Sequence, residues 1–179
     1  TTEYIQRTLT SNKDILEVYH CCVPFKVTTC TSMHQSYWRP WQEDLKEMWV
    51  RPQPEGCFTA KDFDFYDSTL WDYDFQVLFA HWLCKRKGYS NICCLVGIRA
   101  SESFNRWRII NSDRNYRHLL GLRWTRRIDD TVCNAYPIYD WKIADIWTAN
   151  GKFGWDYNKL YDLYHQAGIS LQRQRVASP

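Results

Sequence analysis

Arg99, Glu102, Ser103 and Arg106 fall close together in the stretch GIRASESFNRW, Gly97 to Trp107, directly after the apolar run NICCLV. Two guanidinium groups at this spacing suit forked hydrogen bonding to phosphate, sulfate or carboxylate. Gly97 lets a ligand approach the backbone, and Ser101 to Ser103 would open a helix whose free N–H groups favour an anion. The stretch therefore predicts a nucleotide phosphate or sulfate site. Glu102 fits an anion site least, so it is assigned to holding an arginine in place or to a hydrogen bond with ribose or adenine. The competing reading of the same arginines is a solvated face with scattered ion pairs. A second segment, PIYDW, leaves a strand-like run in the same way, and its Asp140 could cap the following helix, contact the ligand, or do both.

The elements that must hold these residues alternate. TEYIQRTLTSN reads as a helix with Tyr4, Ile5 and Leu9 on one face, and ILEVYHCCVPF as a strand ended by Pro24. From Val27 to Asp67 the pattern gives way to a long aromatic insertion, with one short helix expected around Gln42 to Met48. DYDFQVLFAHWLCKRKG places Phe75, Leu78, Phe79, Trp82 and Leu83 on one helical stripe, with a basic last turn and Gly88 after it. NICCLVGI is uniformly apolar, the pattern of a strand buried on both faces of a parallel sheet. CNAYPI is a further short strand. YDWKIADIWTANG then predicts a helix capped by Asp140 and stopped by Gly151, and DYNKLYDLYHQAG one ended by Gly168. This order predicts an α/β fold, an open parallel sheet with helices on both faces, which binds ligands at the carboxyl ends of its strands.

Composition narrows the classes. With 179 residues, 17% of them aromatic, residues 1–179 are expected to form a single domain with an aromatic core. Net charge is only +3, but Arg99 to Arg127 holds eight arginines (99, 106, 108, 114, 117, 123, 126, 127), no lysine, and two acids, Glu102 and Asp113. The eight cysteines include adjacent pairs, Cys21 with Cys22 and Cys93 with Cys94, whose side chains point to opposite faces of a strand. Free core thiols in a reducing cytoplasm fit this better than disulfides. Cys30 and His34 have a zinc-like spacing, but no C-x-x-C pair accompanies them and no metal is assigned. His81 and His165 are expected at the surface or core edge, and Tyr157, Tyr161 and Tyr164 in core packing. No run of eighteen apolar residues occurs, so no membrane span is expected. The chain opens at Thr1 and closes on QRVASP, so it reads as a piece of something longer, a partial domain.

GIRASESFNRW, followed about thirty residues later by YPIYDWKIADIWTANGKFGWDYNKLYDLYHQAGI, resembles the second half of the phosphoadenosine phosphosulfate reductase family. That family carries a G-[IL]-R-x-x-[ED]-S-x-x-R loop, a P-[IL]-x-D-W segment and an aromatic Y-N-x-L-Y-x-x-G region. The aromatic insertion resembles the branch of predicted sulfurtransferases that includes immunoglobulin-binding regulator proteins. The resemblance implies an adenine nucleotide α-hydrolase-like fold. By position, Gly97, Arg99, Glu102, Ser103 and Arg106 would line the nucleotide or sulfate side of a cleft, with Asp140 and Trp141 supporting it. Two family features are missing from the sequence: the S-G-G-K-D-S pyrophosphate loop, and the E-C-G-x-H tail whose cysteine attacks sulfur.

Three readings follow from these residues. The first is an enzyme domain that binds an adenine nucleotide, either phosphoadenosine phosphosulfate (PAPS), adenosine phosphosulfate (APS) or ATP, and transfers sulfur or a nucleotidyl group when complete. The second is a regulatory or binding module that keeps the pocket without the chemistry. The third is a nucleic-acid modifying or binding protein whose Arg99 to Arg127 region meets phosphates, the same region being open to a protein partner.

Overall fold

Helix α2 (Asp72–Lys87) forms where the sequence is most regular, with acidic residues in its first turn, basic ones in its last, and Gly88 closing it at a positive φ of 70°. The predicted stripe is half-buried, and the deepest burial on the helix falls at Ala80 and Cys84. A computed structural model describes residues 2–29, 32–111 and 118–174. Cys30, Asp113, Arg114 and Arg117 lie outside the described residues.

The chain divides into two units. The first holds Thr1–Glu17, Leu95–Arg126 and Ala135–Pro179, and the second Val18–Cys94 and Arg127–Asn134.

In the second unit, β1 (Cys21–Cys22) pairs in parallel with β4 (Phe58–Thr59), and β2 (Val27–Thr28) pairs antiparallel with β3 (Tyr37–Trp38). The aromatic insertion is thus part of the pairing and not a bare loop. The short helix expected near Gln42 to Met48 is a 3-10 helix, Glu43–Met48. Phe63, only 4% exposed, sits at the centre of a ring cluster. Its centroid lies 5.1 to 6.1 Å from those of Phe58, Phe65, Phe75, Phe79 and Trp82. Tyr19 joins from before β1, in contact with Phe58, Phe79 and Trp82. Offset and edge-to-face arrangements of this kind add to the burial of apolar area.

Helix α1 (Thr2–Ser11) opens the first unit as the sequence predicts. The expected long strand after it is reduced to β1. Ile15 and Leu16 donate their N–H groups to Asn12 O in a turn that closes α1, and both side chains are exposed.

Strands β5 (Ile92–Leu95), β6 (Thr125–Arg127) and β7 (Val132–Ala135) form a sheet in the order β5-β7-β6. Ile92 N–H donates to Thr131 O at 2.9 Å and Val96 N–H to Ala135 O at 2.8 Å, so β5 and β7 run parallel. Tyr136 N–H donates to Trp124 O and Ile128 N–H to Val132 O, so β6 runs against β7. The fold is mixed α/β with parallel pairing, as the sequence predicts.

Burial of β5 on both faces is not observed: Cys93 and Leu95 are exposed, Leu95 by 75%. A two-residue period gives β5 one covered face, and β7 is its neighbour on one edge only among the described residues.

Helix α3 (Phe104–Asn111) and helices α4 (Ile143–Phe153) and α5 (Leu160–Gln166) complete the first unit. Two predicted ends of α4 move. Its cap is Lys142, whose N–H donates to the Asp145 carboxylate at 2.7 Å, and not Asp140, which stands exposed in the preceding turn. Gly151 lies inside the helix, because Gly154 supplies the left-handed turn at φ 62°.

Phe63→Ala is expected to destabilise the fold by about 3 to 5 kcal/mol, since it leaves a cavity among five rings. Leu163→Ala, at a side chain 59% exposed, should cost no more than about 0.5 kcal/mol. Urea denaturation of the two variants checks this, and equal losses would remove Phe63 from the centre of the core.

Candidate functional site

The pairing of β5 with β7 continues past the ends of the strands. Ala100 N–H donates to Tyr139 O at 2.8 Å, keeping the 39-residue step already set by Ile92 with Thr131 and Val96 with Ala135. Ser101 Oγ then donates to Trp141 O at 3.1 Å. These bonds hold the loop GIRASES against PIYDW. Both loops follow the carboxyl ends of parallel strands, where open α/β sheets place their ligands.

A 3-10 turn, Ala100–Glu102, leads from β5 toward α3. Its geometry brings three charged groups together. Glu102 Oε1 accepts from Arg99 Nη2 at 3.0 Å and from Arg99 Nε at 3.2 Å, and Oε2 pairs with Arg106 Nη1. The i,i+3 and i,i+4 spacings read in the sequence are those that let one carboxylate reach both guanidinium groups. Ser103 Oγ accepts from the Arg106 backbone N–H at 3.3 Å, so the serine caps the first turn of α3 and occupies an N–H that was expected to face an anion.

A cavity of about 1610 Å3 opens within the first unit. Gly97, Arg99, Ser101, Glu102, Arg106 and Trp141 are among its lining residues. A Cβ on Gly97 would meet only Ile138 Cδ1, at 4.0 Å, so the glycine leaves space at the strand end and avoids no clash. Of the residues singled out in the sequence, Ser103 and Asp140 do not line this cavity. Arg123, Arg126 and Arg127 lie on or beside β6 and do not line it either.

The same cavity is lined by residues far from this loop in the sequence. Trp147, Tyr157 and Tyr161 form an aromatic side, with Trp147 edge-on to Tyr157 and Tyr161 at 5.4 Å. Tyr157 donates its hydroxyl to Asp162 at 2.8 Å, which fixes the ring. Helix α1 contributes Tyr4, Thr8 and Arg7. Arg7 Nε donates to Asp156 Oδ2 at 2.9 Å, tying α1 to the segment between α4 and α5. The hydrogen bond from Arg7 holds the Asp156 carboxyl below the usual carboxylate range. Nothing local links Arg7 to a residue 149 positions away. The local pattern offers Arg7 a different partner, Glu3, four residues earlier on the same helix.

Thiol chemistry finds no support at the cavity, which no cysteine lines among the described residues. Seven described cysteines are free. Burial pushes Cys21 up to about 11, and burial together with the Cys57 thiol pushes Cys22 up to about 12. Partial desolvation and the hydrogen bond with the neighbouring Cys133 thiol push Cys93 up to about 11, although the residue is exposed. Among the described residues no group of three His, Cys, Asp or Glu is placed to hold a metal ion. No helix among them is long and apolar enough to cross a membrane.

Fold and cavity together define a mixed α/β domain with an arginine-lined, aromatic-walled cleft beyond the ends of parallel strands. The chain belongs to the phosphoadenosine phosphosulfate reductase domain family, whose model matches residues 19–167. It is 33% identical over 182 residues to the uncharacterized protein YbdN of Escherichia coli strain K12. That match covers 100% of this chain and 44% of the relative, so the chain spans less than half the length of the curated protein it matches. No solved structure matches the chain.

Two outcomes follow from the ionisable groups. Labelling of Cys93 by a disulfide reagent, read by mass spectrometry, is expected to be slow near pH 8 and to rise roughly tenfold per pH unit until the pH approaches 11. A plateau below pH 9 would mean an activated thiol instead. In Arg7→Met, the Asp156 carboxyl should titrate at higher pH than in the parent protein, because the bond that favours its charged form is gone. Carboxyl-carbon NMR titration reads this directly, and an unshifted midpoint would show that the pair does not persist in solution.

Proposed function

We propose that the first unit binds an adenine nucleotide or sulfonucleotide, with its anionic end at Arg99 and Arg106 and its base toward the aromatic side. The observation that carries this reading is the convergence of two arginines, the Gly97 opening and the Trp147, Tyr157 and Tyr161 rings on one cavity of about 1610 Å3. Membership of a family defined by phosphoadenosine phosphosulfate reduction supports the sulfonucleotide class of ligand. Arginine forks recognise phosphate and sulfate through paired charge-assisted hydrogen bonds, and rings provide an apolar surface for a base. In the complete protein, this portion would hold the nucleotide while sulfur or a nucleotidyl group is transferred.

A second reading, a binding or regulatory module without the chemistry, is favoured by one observation. The thiols of Cys21, Cys22 and Cys93 are raised and no described cysteine lines the cavity, so a thiolate attack on sulfur has no candidate among them. The two readings share the nucleotide site and differ in what the rest of the protein adds.

Calorimetric titration with PAPS, APS and ATP tests the shared part. Arg99→Ala is expected to weaken the best of these ligands by about 1.5 to 3 kcal/mol, a loss of roughly ten- to 150-fold. Arg108→Ala, on α3 and away from the cavity wall, should leave affinity within about twofold. Equal affinities in the parent and Arg99→Ala proteins would withdraw Arg99 from the site.

A further inference from the structure

The cavity presents its arginines already paired. Glu102 engages the Arg99 fork through Oε1 and Arg106 through Oε2, and Asp156 engages Arg7 in the lining of the same cavity. The two groups are not equivalent. Arg7 and Asp156 have side chains 48% and 46% exposed, so water screens them. Arg99 and Glu102 are 13% and 22% exposed, so the charge of one is strongly felt by the other, while Arg106 at 47% is the more accessible and more screened member of the cluster. The three groups at the strand end sum to a single positive charge. Glu102 occupies the Nε and Nη2 atoms of Arg99, one of the two forked edges that a guanidinium offers an oxyanion.

We infer that Glu102 is an internal competitor for the anion, one that sets a charge threshold for entry. This rests on the proposed anion site at Arg99 and Arg106. A carboxylate from solution carries no more charge than Glu102 and must also give up its translational freedom, so it does not displace the side chain. An oxyanion with two or more negative charges, such as sulfate, phosphate or pyrophosphate, interacts more strongly with two guanidinium groups than the single carboxylate does. Glu102 then has only to swing from one fork while it stays paired at the other. Its position three residues from Arg99 and four from Arg106 makes this a change of side-chain rotamer that leaves the 3-10 turn intact. A purely structural glutamate would behave in the opposite way, since removing its charge would loosen the arginines and weaken every anion.

The test titrates sulfate, phosphate, pyrophosphate and acetate into the parent protein, Glu102→Gln and Glu102→Asp at constant ionic strength, with thermal melts to establish folding. Glu102→Gln keeps the shape and removes the charge. It is expected to bind pyrophosphate about tenfold more tightly, with smaller gains for sulfate and phosphate, and to admit acetate measurably. Glu102→Asp keeps the charge but shortens the reach, so its pyrophosphate affinity should lie between those of the parent and Glu102→Gln, and it decides the matter if the glutamine variant fails to fold. Pyrophosphate binding by the parent protein that is unchanged or weakened in the folded variants would overturn the competitor role and leave the anion site standing. Folded parent and variant proteins that bind none of the four anions would overturn both.

Discussion

The constant 39-residue step between β5 and β7 is the constraint on which the candidate site depends. Hydrogen bonds at Ile92 with Thr131, Val96 with Ala135 and Ala100 with Tyr139 keep two distant segments in one parallel register. A shift of one residue would turn the side chains of the shifted strand to the opposite face and break the bond between Ser101 and Trp141. Because parallel strands end on the same side, the loops that follow them meet, and the Ser101 to Trp141 bond records that meeting. This alignment places the loop that carries the arginine cluster beside the segment that leads into α4.

Stability in the second unit has a different source. Its strands β1 to β4 are two residues long, too short for their ladders alone to hold that part of it. The ring cluster around Phe63 supplies what the short ladders lack, joining the segment after β4 to α2 and to Tyr19. Burial and the neighbouring Cys57 thiol oppose ionisation, so Cys21 and Cys22 behave as small apolar residues and not as nucleophiles.

Electrostatics in the cavity are organised by partial cancellation. Bare guanidinium groups at the strand end would repel one another, and Glu102 offsets that repulsion from a position only a few residues away. Asp156 does the same for Arg7 at longer sequence range. The cavity therefore keeps strong donors in place without carrying a large net charge, an arrangement compatible with recognising a highly charged ligand over ordinary carboxylates.

The sequence by itself determined features that depend on near neighbours. The 3.6-residue period of Phe75 to Leu83 placed α2, Gly88 placed its end, and the spacing of Arg99, Glu102 and Arg106 brought one carboxylate within reach of both arginines. Even there, local signals competed. Gly151 and Gly154 were both able to end α4, and the left-handed backbone at Gly154 decided between them. Asp140 and Asp145 both stood near its start, and only Asp145 reaches the Lys142 N–H. Tertiary structure alone decided that the aromatic insertion pairs with β1, that β5 has an exposed face, and that Arg7 and Asp156 share a cavity with Arg99. Such pairings join residues far apart in the chain, and residue type and spacing encode only what lies within a few turns of the backbone. Contacts across 39 or 149 residues exist because strand register and ring packing bring those segments together, information that no local pattern carries.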